Sequence, residues 1–401
     1  MHNVHQFLAT LCAALARATA RGLGLFMMMG SLAAAQPIIL QPSQTCSGPP
    51  MTATTDWVQY RYDLCRTGFN PYEFVLNPRT VAQLNLRWHY TTGGGVFSSP
   101  AVAKGMLFIG SDDNNLYALN TGTGALVWKY TTGSTVRSSP AVANGVVYIG
   151  SIDHNLYALN AATGIPLWTY AAGDSVESSP VVANGVVYFA SWDGNVYALN
   201  AGTGRLLWKY STTAGFGASP SLANGVLYIG GFDHNVYALN AATGALIWKY
   251  ATGDYIYSDP AIANGLVYIG SYDNNVYALN ATTGAVVWRY TTGDFVGASP
   301  AVANGVVYVG SGDDYVYALN AATGALIWKY TTGISVLSSP VVAKGVLYIG
   351  SRDDAIFALN ANTGVLLWQY LTEDEIESSL AVVNGVVYVG CADRNVYAFG
   401  L

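Results

Sequence analysis

The chain has 401 residues, of which 52% are hydrophobic and only 10% charged, with 44 glycines and 29 tyrosines. Average globular proteins are about 25% charged, and this composition excludes a helix-rich or disordered chain while suiting many short strands joined by tight turns. The formal net charge of −6 argues against nucleic acid as a partner, since phosphate binding rests on basic contacts.

In chain order, residues 1–35 read as a signal peptide. Arg17 and Arg21 precede an apolar run from Leu23 to Leu32, and Ala33-Ala34-Ala35 supplies small residues for cleavage. The run is short for a bilayer span, so no stable membrane span is expected; a retained anchor is the competing reading. Removal takes away two arginines and no acid, moving the net charge from −6 to −8. Residues 36–55 are expected to form a flexible linker and 56–85 a lead-in segment packed on the domain that follows. Of the four cysteines, Cys12 leaves with the signal, and Cys46 with Cys65 is the preferred disulfide, leaving Cys391 as a small residue in a tight place.

From residue 86 to 401 the sequence repeats. Trp88, Trp128, Trp168, Trp208, Trp248, Trp288, Trp328 and Trp368 follow one another at intervals of forty residues. Each unit reads as four strands. In residues 138–177 these are Ser138 to Ala143, Val146 to Ser151, Leu156 to Leu159 and Pro166 to Tyr170. Asn144-Gly145 between the first two marks a tight hairpin whose central residues take positive φ. Four short antiparallel strands per unit suit a propeller blade, with a straight solenoid as the competitor. Closure decides between them. The first tryptophan strand, Leu86 to Tyr90, lacks three strands before it, and the last unit, Ser378 to Leu401, lacks its fourth. Joined, they complete an eighth blade, whereas a solenoid needs capping ends. The expectation is an all-β, eight-bladed propeller closed by its N-terminal outer strand, with the eight indoles docked between blades. The Asp of each second turn is expected to fix that turn through backbone N–H bonds.

Ala-Leu-Asn-Ala-Ala-Thr-Gly-Ala-Leu-Ile-Trp at 238–248 resembles the tryptophan-docking motif of pyrroloquinoline-quinone (PQQ) type propellers, with Asn where that motif has Asp. The segment from Asp56-Trp57 to Glu73 resembles the lead-in of secreted bacterial members. The family includes quinoprotein alcohol dehydrogenases and non-catalytic propellers such as an outer-membrane assembly lipoprotein. The resemblance implies a propeller, and its enzymes imply PQQ and calcium held by an adjacent cysteine pair, a Trp platform and Glu, Asn and Asp ligands. This chain has no adjacent cysteine pair and no long blade insertions.

Repeats also show where individuality lies. Two positions vary most: one before the first strand (Arg137, Glu177, Tyr257 and Glu377 among its occupants) and one in the second turn (Trp192, Phe232, Tyr272 and Arg352). Both belong to the same end of the blade, to which Tyr255 adds a further aromatic. Clustered surface aromatics mark partners or flat ligands. Arg137, Glu177, Trp192, Phe232, Tyr255, Tyr257, Tyr272, Arg352 and Glu377 are therefore the candidate binding residues. The expected protein is a secreted, periplasmic or envelope-bound monomer. It serves as a non-catalytic scaffold for a protein segment, glycan or flat organic ligand, without a cofactor. The alternatives are a minimal PQQ- and calcium-dependent dehydrogenase, with Glu177 on calcium and Arg137 on the quinone carboxylates, and an architectural envelope protein.

Overall fold

The computed structural model describes residues 56–401; the signal peptide, the linker and Cys46 lie outside the described residues. Eight antiparallel sheets of four strands follow one another along the chain, one of them widened to five by a short N-terminal strand. The blade that begins in the repeat described above consists of Ala141–Ala143, Val146–Gly150, Asn155–Asn160 and Pro166–Ala171. Its innermost strand starts three residues later than the sequence suggests. Pro140 has no N–H to give a ladder, and Ser138 and Ser139 are used for side-chain bonding instead. The register Ala143↔Val146 leaves a two-residue loop, and Asn144 and Gly145 hold φ of 52° and 79°.

The ring closes at the predicted place. Asn85–Thr91 pairs antiparallel with Asn395–Gly400, with Tyr90 opposite Val396, and completes the sheet of Val386–Gly390 and Ala381–Val383. Each tryptophan then ties its blade to the next. The Trp128 indole N–H donates to Ala161 O at 3.0 Å, and Trp88, Trp168, Trp208, Trp248, Trp288 and Trp328 repeat the contact. Trp368 donates to Leu84 O of the lead-in at 3.1 Å, so the closing joint uses a different acceptor.

The Thr-Gly turn owes its glycine to that indole. Gly164 has φ 71°, and a Cβ there would meet Trp128 Cδ2 at 2.7 Å. Gly145 has φ 79° with no atom within 4 Å of an added Cβ. Gly145→Ala is therefore expected to cost about 1 kcal/mol of backbone strain, while Gly164→Ala adds overpacking worth roughly 1–3 kcal/mol more. Urea denaturation of the two variants checks this, and equal midpoints would refute it.

The second-turn aspartate is a clamp rather than a simple turn residue. Asp153 accepts from Gly133 N at 2.6 Å, Asn155 N at 3.0 Å and the Tyr157 hydroxyl at 2.6 Å. It thus joins the inter-blade loop, the turn and the third strand. In the equivalent Asp113, Asp193 and Asp273, partial burial works against ionisation, yet the Tyr and backbone donors outweigh it and hold the carboxyls below their usual range.

Two further features gather at the inner edges of the blades. The first is a closed ring of side-chain bonds around the axis. Ser99 N–H donates to Ser139 Oγ, Ser139 to Ser179 and Ser179 to Ser219, and Ser379 N–H returns to Ser99 Oγ at 2.8 Å. Asp259 is the one acid in this ring, accepting from Ser219 N–H and from the Ser299 hydroxyl. The second is the path of residues 57–70, which visit the innermost strands in turn. Val102, Val142, Leu222, Ile262, Val302 and Val342 donate their N–H groups to Trp57, Val58, Leu64, Cys65, Thr67 and Gly68. Residues 59–63 leave this path. Cys65 is disulfide-bonded; Cys46, the partner expected for it, is outside the described residues. Cys391 is buried and free, its thiol pushed up to about 12 by burial.

Candidate functional site

Hydrogen bonds define the two ends of the disk. At one end the inter-blade loops meet the second turns, as in Ile152 N to Thr135 O at 3.0 Å. At the other, first and third turns meet, as in Ala161 N to Gly145 O at 2.9 Å. All nine candidate residues sit at the first end.

There the axis opens into a cup of about 160 Å³. Its rim carries Phe97, Arg137, Glu177, Tyr257, Leu337 and Glu377, its wall is the serine ring with Asp259, and Tyr60 lines it from the lead-in. The Tyr60 hydroxyl lies 3.4 Å from Ser339 Oγ. Tyr60 is held in turn by Arg66, whose guanidinium carbon is 4.9 Å from the ring centroid. Two arginines of the lead-in are buried beside it. Arg66 donates to Pro220 O and Ser179 O at 2.6 and 2.7 Å, and Arg61 donates to Pro300 O. Burial lowers both guanidinium pKa values, opposed by the neighbouring Asp259 carboxylate among others.

The rim charges are unequally partnered. Asp112 binds Arg137 through both oxygens, at 3.0 and 2.7 Å, and the guanidinium lies 4.8 Å from the centroid of Phe97. Arg352 binds Glu375 at 3.0 Å and also Glu377. Both rim arginines are thus neutralised by neighbours. Glu177 has no cation within ion-pair distance among the described residues. Burial pushes its carboxyl pKa up, partly offset by the charge of Arg137 and a hydrogen bond from Trp192. Tyr257 is pushed up to about 12, by burial first and then by Glu177.

Next to the cup the aromatics join into an arc. Trp192 meets Phe232 edge-on at 5.6 Å, Phe232 meets Tyr257 at 4.8 Å, Tyr257 meets Tyr272 at 5.7 Å, and Tyr272 stacks on Phe295 at 4.7 Å. Tyr255 flanks Phe232 at 6.0 Å. Trp192, Tyr255 and Tyr257 remain exposed. The structure thus groups Trp192, Phe232, Tyr255, Tyr257 and Tyr272 with one another. Glu177 meets this group at Trp192 and Tyr257, and Arg352 and Glu377 form a separate ion cluster. Sequence reasoning missed Phe295, although it stands forty residues after Tyr255 in the same repeat position. It also missed Asp259, the one acid at a position otherwise held by serine. Tyr60 carried no periodic signal, because the lead-in does not repeat.

The profile of the PQQ-like repeat family described as outer membrane protein assembly factor BamB matches residues 75–221, 193–295 and 276–401. The chain belongs to that family of β-propellers. No curated protein matches the sequence. Among solved structures, BamB from Moraxella catarrhalis superposes with a TM-score of 0.70 at 21% identity, over 79% of this chain and 100% of that one. A europium-containing methanol dehydrogenase gives 0.75 at 16%, over 86% and 98%. The quinohemoprotein alcohol dehydrogenase from Comamonas testosteroni gives 0.76 at 17%, over 87% and 81%. At such identities the likeness shows the fold alone.

The residues at the cup do not fit a quinone with its metal. No group of three His, Cys, Asp or Glu side chains suited to a metal occurs among the described residues. Arg137, the residue that would anchor quinone carboxylates, is already engaged by Asp112. Asp112, the acid that acts on Glu177, is itself engaged by Arg137.

Proposed function

We propose that this propeller is a non-catalytic binding scaffold of the cell envelope that takes an extended polypeptide segment on its variable end. The observation that carries this reading is the exposed aromatic arc beside the axial cup. Rigid aromatic rings offer broad contact area at low entropic cost, and such residues dominate binding hot spots. The family description as an assembly factor favours a polypeptide over a glycan or a flat organic ligand. Among the described residues no helix is long and apolar enough to cross a membrane.

The test is titration against the best binders from an array of extended peptides, with a glycan array in parallel. Trp192→Ala and Tyr257→Ala are each expected to weaken binding by roughly 1–3 kcal/mol with little effect on folding. Asn144→Asp and Asn224→Asp, at the opposite end, should leave affinity unchanged. Equal losses from both ends would show that the wrong end was chosen, and binders confined to the glycan array would replace the polypeptide by a sugar.

A further inference from the structure

Charge in this protein is segregated by end. Every acidic side chain of the sequence except Asp56, Asp63, Glu73 and Asp259 lies in a second turn or an inter-blade loop, at the end that holds the cup. Among the described residues, the second turns and inter-blade loops of that end have only Arg137, Arg352 and Arg394 as arginines or lysines, and the first two are bonded to Asp112 and to Glu375 and Glu377. Lys104, Lys344 and Arg205 lie in first and third turns at the other end, and Lys129, Lys209 and Lys249 on outer strands. The arc and the loops around the cup are therefore an aromatic surface set among a surplus of acids, with the buried Arg61 and Arg66 as the cations beside the cup wall. Such a surplus steers cationic partners and raises their association rate.

The cup adds a geometric feature that a diffuse acidic patch lacks. Glu177 is half-buried at its rim, and Tyr257 and Phe97 line the same cup. Aromatic faces attract ammonium and guanidinium groups, and a carboxylate hydrogen-bonded to such a group is the stronger partner. Burial already disfavours the charged form of Glu177 without a cation in contact to compensate. A cationic side chain arriving from outside would supply that missing contact.

We infer that the occupant of this end is a basic polypeptide segment, one of whose Lys or Arg side chains enters the axial cup beside Glu177 and Tyr257, away from the Phe97 face that Arg137 already covers. This rests on the proposed scaffold function and narrows its partner. The neighbouring basic residues of the segment lie over the arc and the acidic inter-blade loops, and specificity comes from the single side chain in the cup.

The experiment uses the full chain with three fluorescein-labelled peptides, octalysine, octaglutamate and a neutral Gly-Ser octamer, read by fluorescence anisotropy. Octalysine is expected to bind and the other two are not. Its affinity should fall as salt rises from 0.05 to 0.3 M, because exposed charges are screened beyond about 10 Å at 0.1 M ionic strength. Glu177→Gln is expected to weaken octalysine about tenfold, the loss of one charge-assisted hydrogen bond, while Glu177→Asp retains most of the affinity. Asp56→Asn, at the opposite end beside Asn144 and Gly145, should change it less than twofold. Octaglutamate binding as well as octalysine would overturn the inference. So would octalysine binding that ignores Glu177→Gln, which would leave only a diffuse acidic field. Salt-sensitive self-association that excludes octalysine would overturn it too, since the occupant would then be the basic end of a second copy. If array peptides that are neutral or acidic bind through Trp192 and Tyr257 while octalysine does not, the scaffold function stands and this inference alone falls.

Discussion

A chain begun at Thr91 is expected to melt far below one begun at Cys46. The shorter chain loses most of the Asn85–Thr91 strand, whose partner Asn395–Gly400 then becomes an open sheet edge. Exposed edges of this kind invite pairing with other chains. It also loses Trp88, which is 8% exposed and donates to Thr121 O; burial of such a ring contributes on the order of 3 kcal/mol. Gone too are the backbone bonds by which the lead-in holds the innermost strands, each worth about 1 kcal/mol net. The summed loss is comparable to the whole stability of many domains, about 5–15 kcal/mol, so aggregation on expression is an expected form of the result. The chain begun at Cys46 keeps every one of these contacts and both cysteines of the predicted pair. Thermal melts of the two proteins decide the matter. Coincident transitions would mean that ring closure by the N-terminal strand contributes nothing.

Arg66→Met is expected to lower stability by roughly 3–5 kcal/mol, the usual cost of removing one member of a buried charged network. Arg66 is 2% exposed, and its guanidinium bonds to the carbonyls of Pro220, Ser179 and Tyr60. Methionine fills much of the space but leaves those acceptors unmet and Asp259 with one supporting charge fewer. Arg66→Lys should recover little, because a point ammonium cannot match a planar fork directed at several acceptors. Exposed Arg79 is the control, and Arg79→Ala should fall within about 0.5 kcal/mol of the parent. Urea denaturation gives the comparison. Near-equal midpoints for Arg66→Met and Arg79→Ala would show that the buried arginines do not hold the lead-in in place. The same variant should also make the cup less well defined, since Arg66 supports Tyr60, and weaker peptide binding by Arg66→Met than by the parent would report that.

The sequence by itself determined everything that depends on local chemistry repeated at a fixed interval. Asn-Gly at 144–145 names a two-residue hairpin because both residues accept positive φ. Thr-Gly before seven of the eight outer strands leaves room for an indole. The forty-residue interval counts the blades, and the lone strand before the first full unit, set against three strands in the last, tells how the ring closes. The diversity of Trp192, Tyr257 and Tyr272 against constant neighbours also singled out one end of the disk. Only the tertiary structure decided what happens at the axis, because the groups that meet there come from every blade at once and from a segment that does not repeat. No spacing shows that residues 57–70 run across the inner strands or that Tyr60 lines the cup. Arg137 and Glu177, neighbours by repeat position, stood alike as candidate binding residues; in the folded protein Asp112 takes the guanidinium of Arg137, and Glu177 has no cation within ion-pair distance among the described residues. Ion pairs are set by distance and competing partners rather than by sequence interval, and that competition is resolved only once the ring has closed.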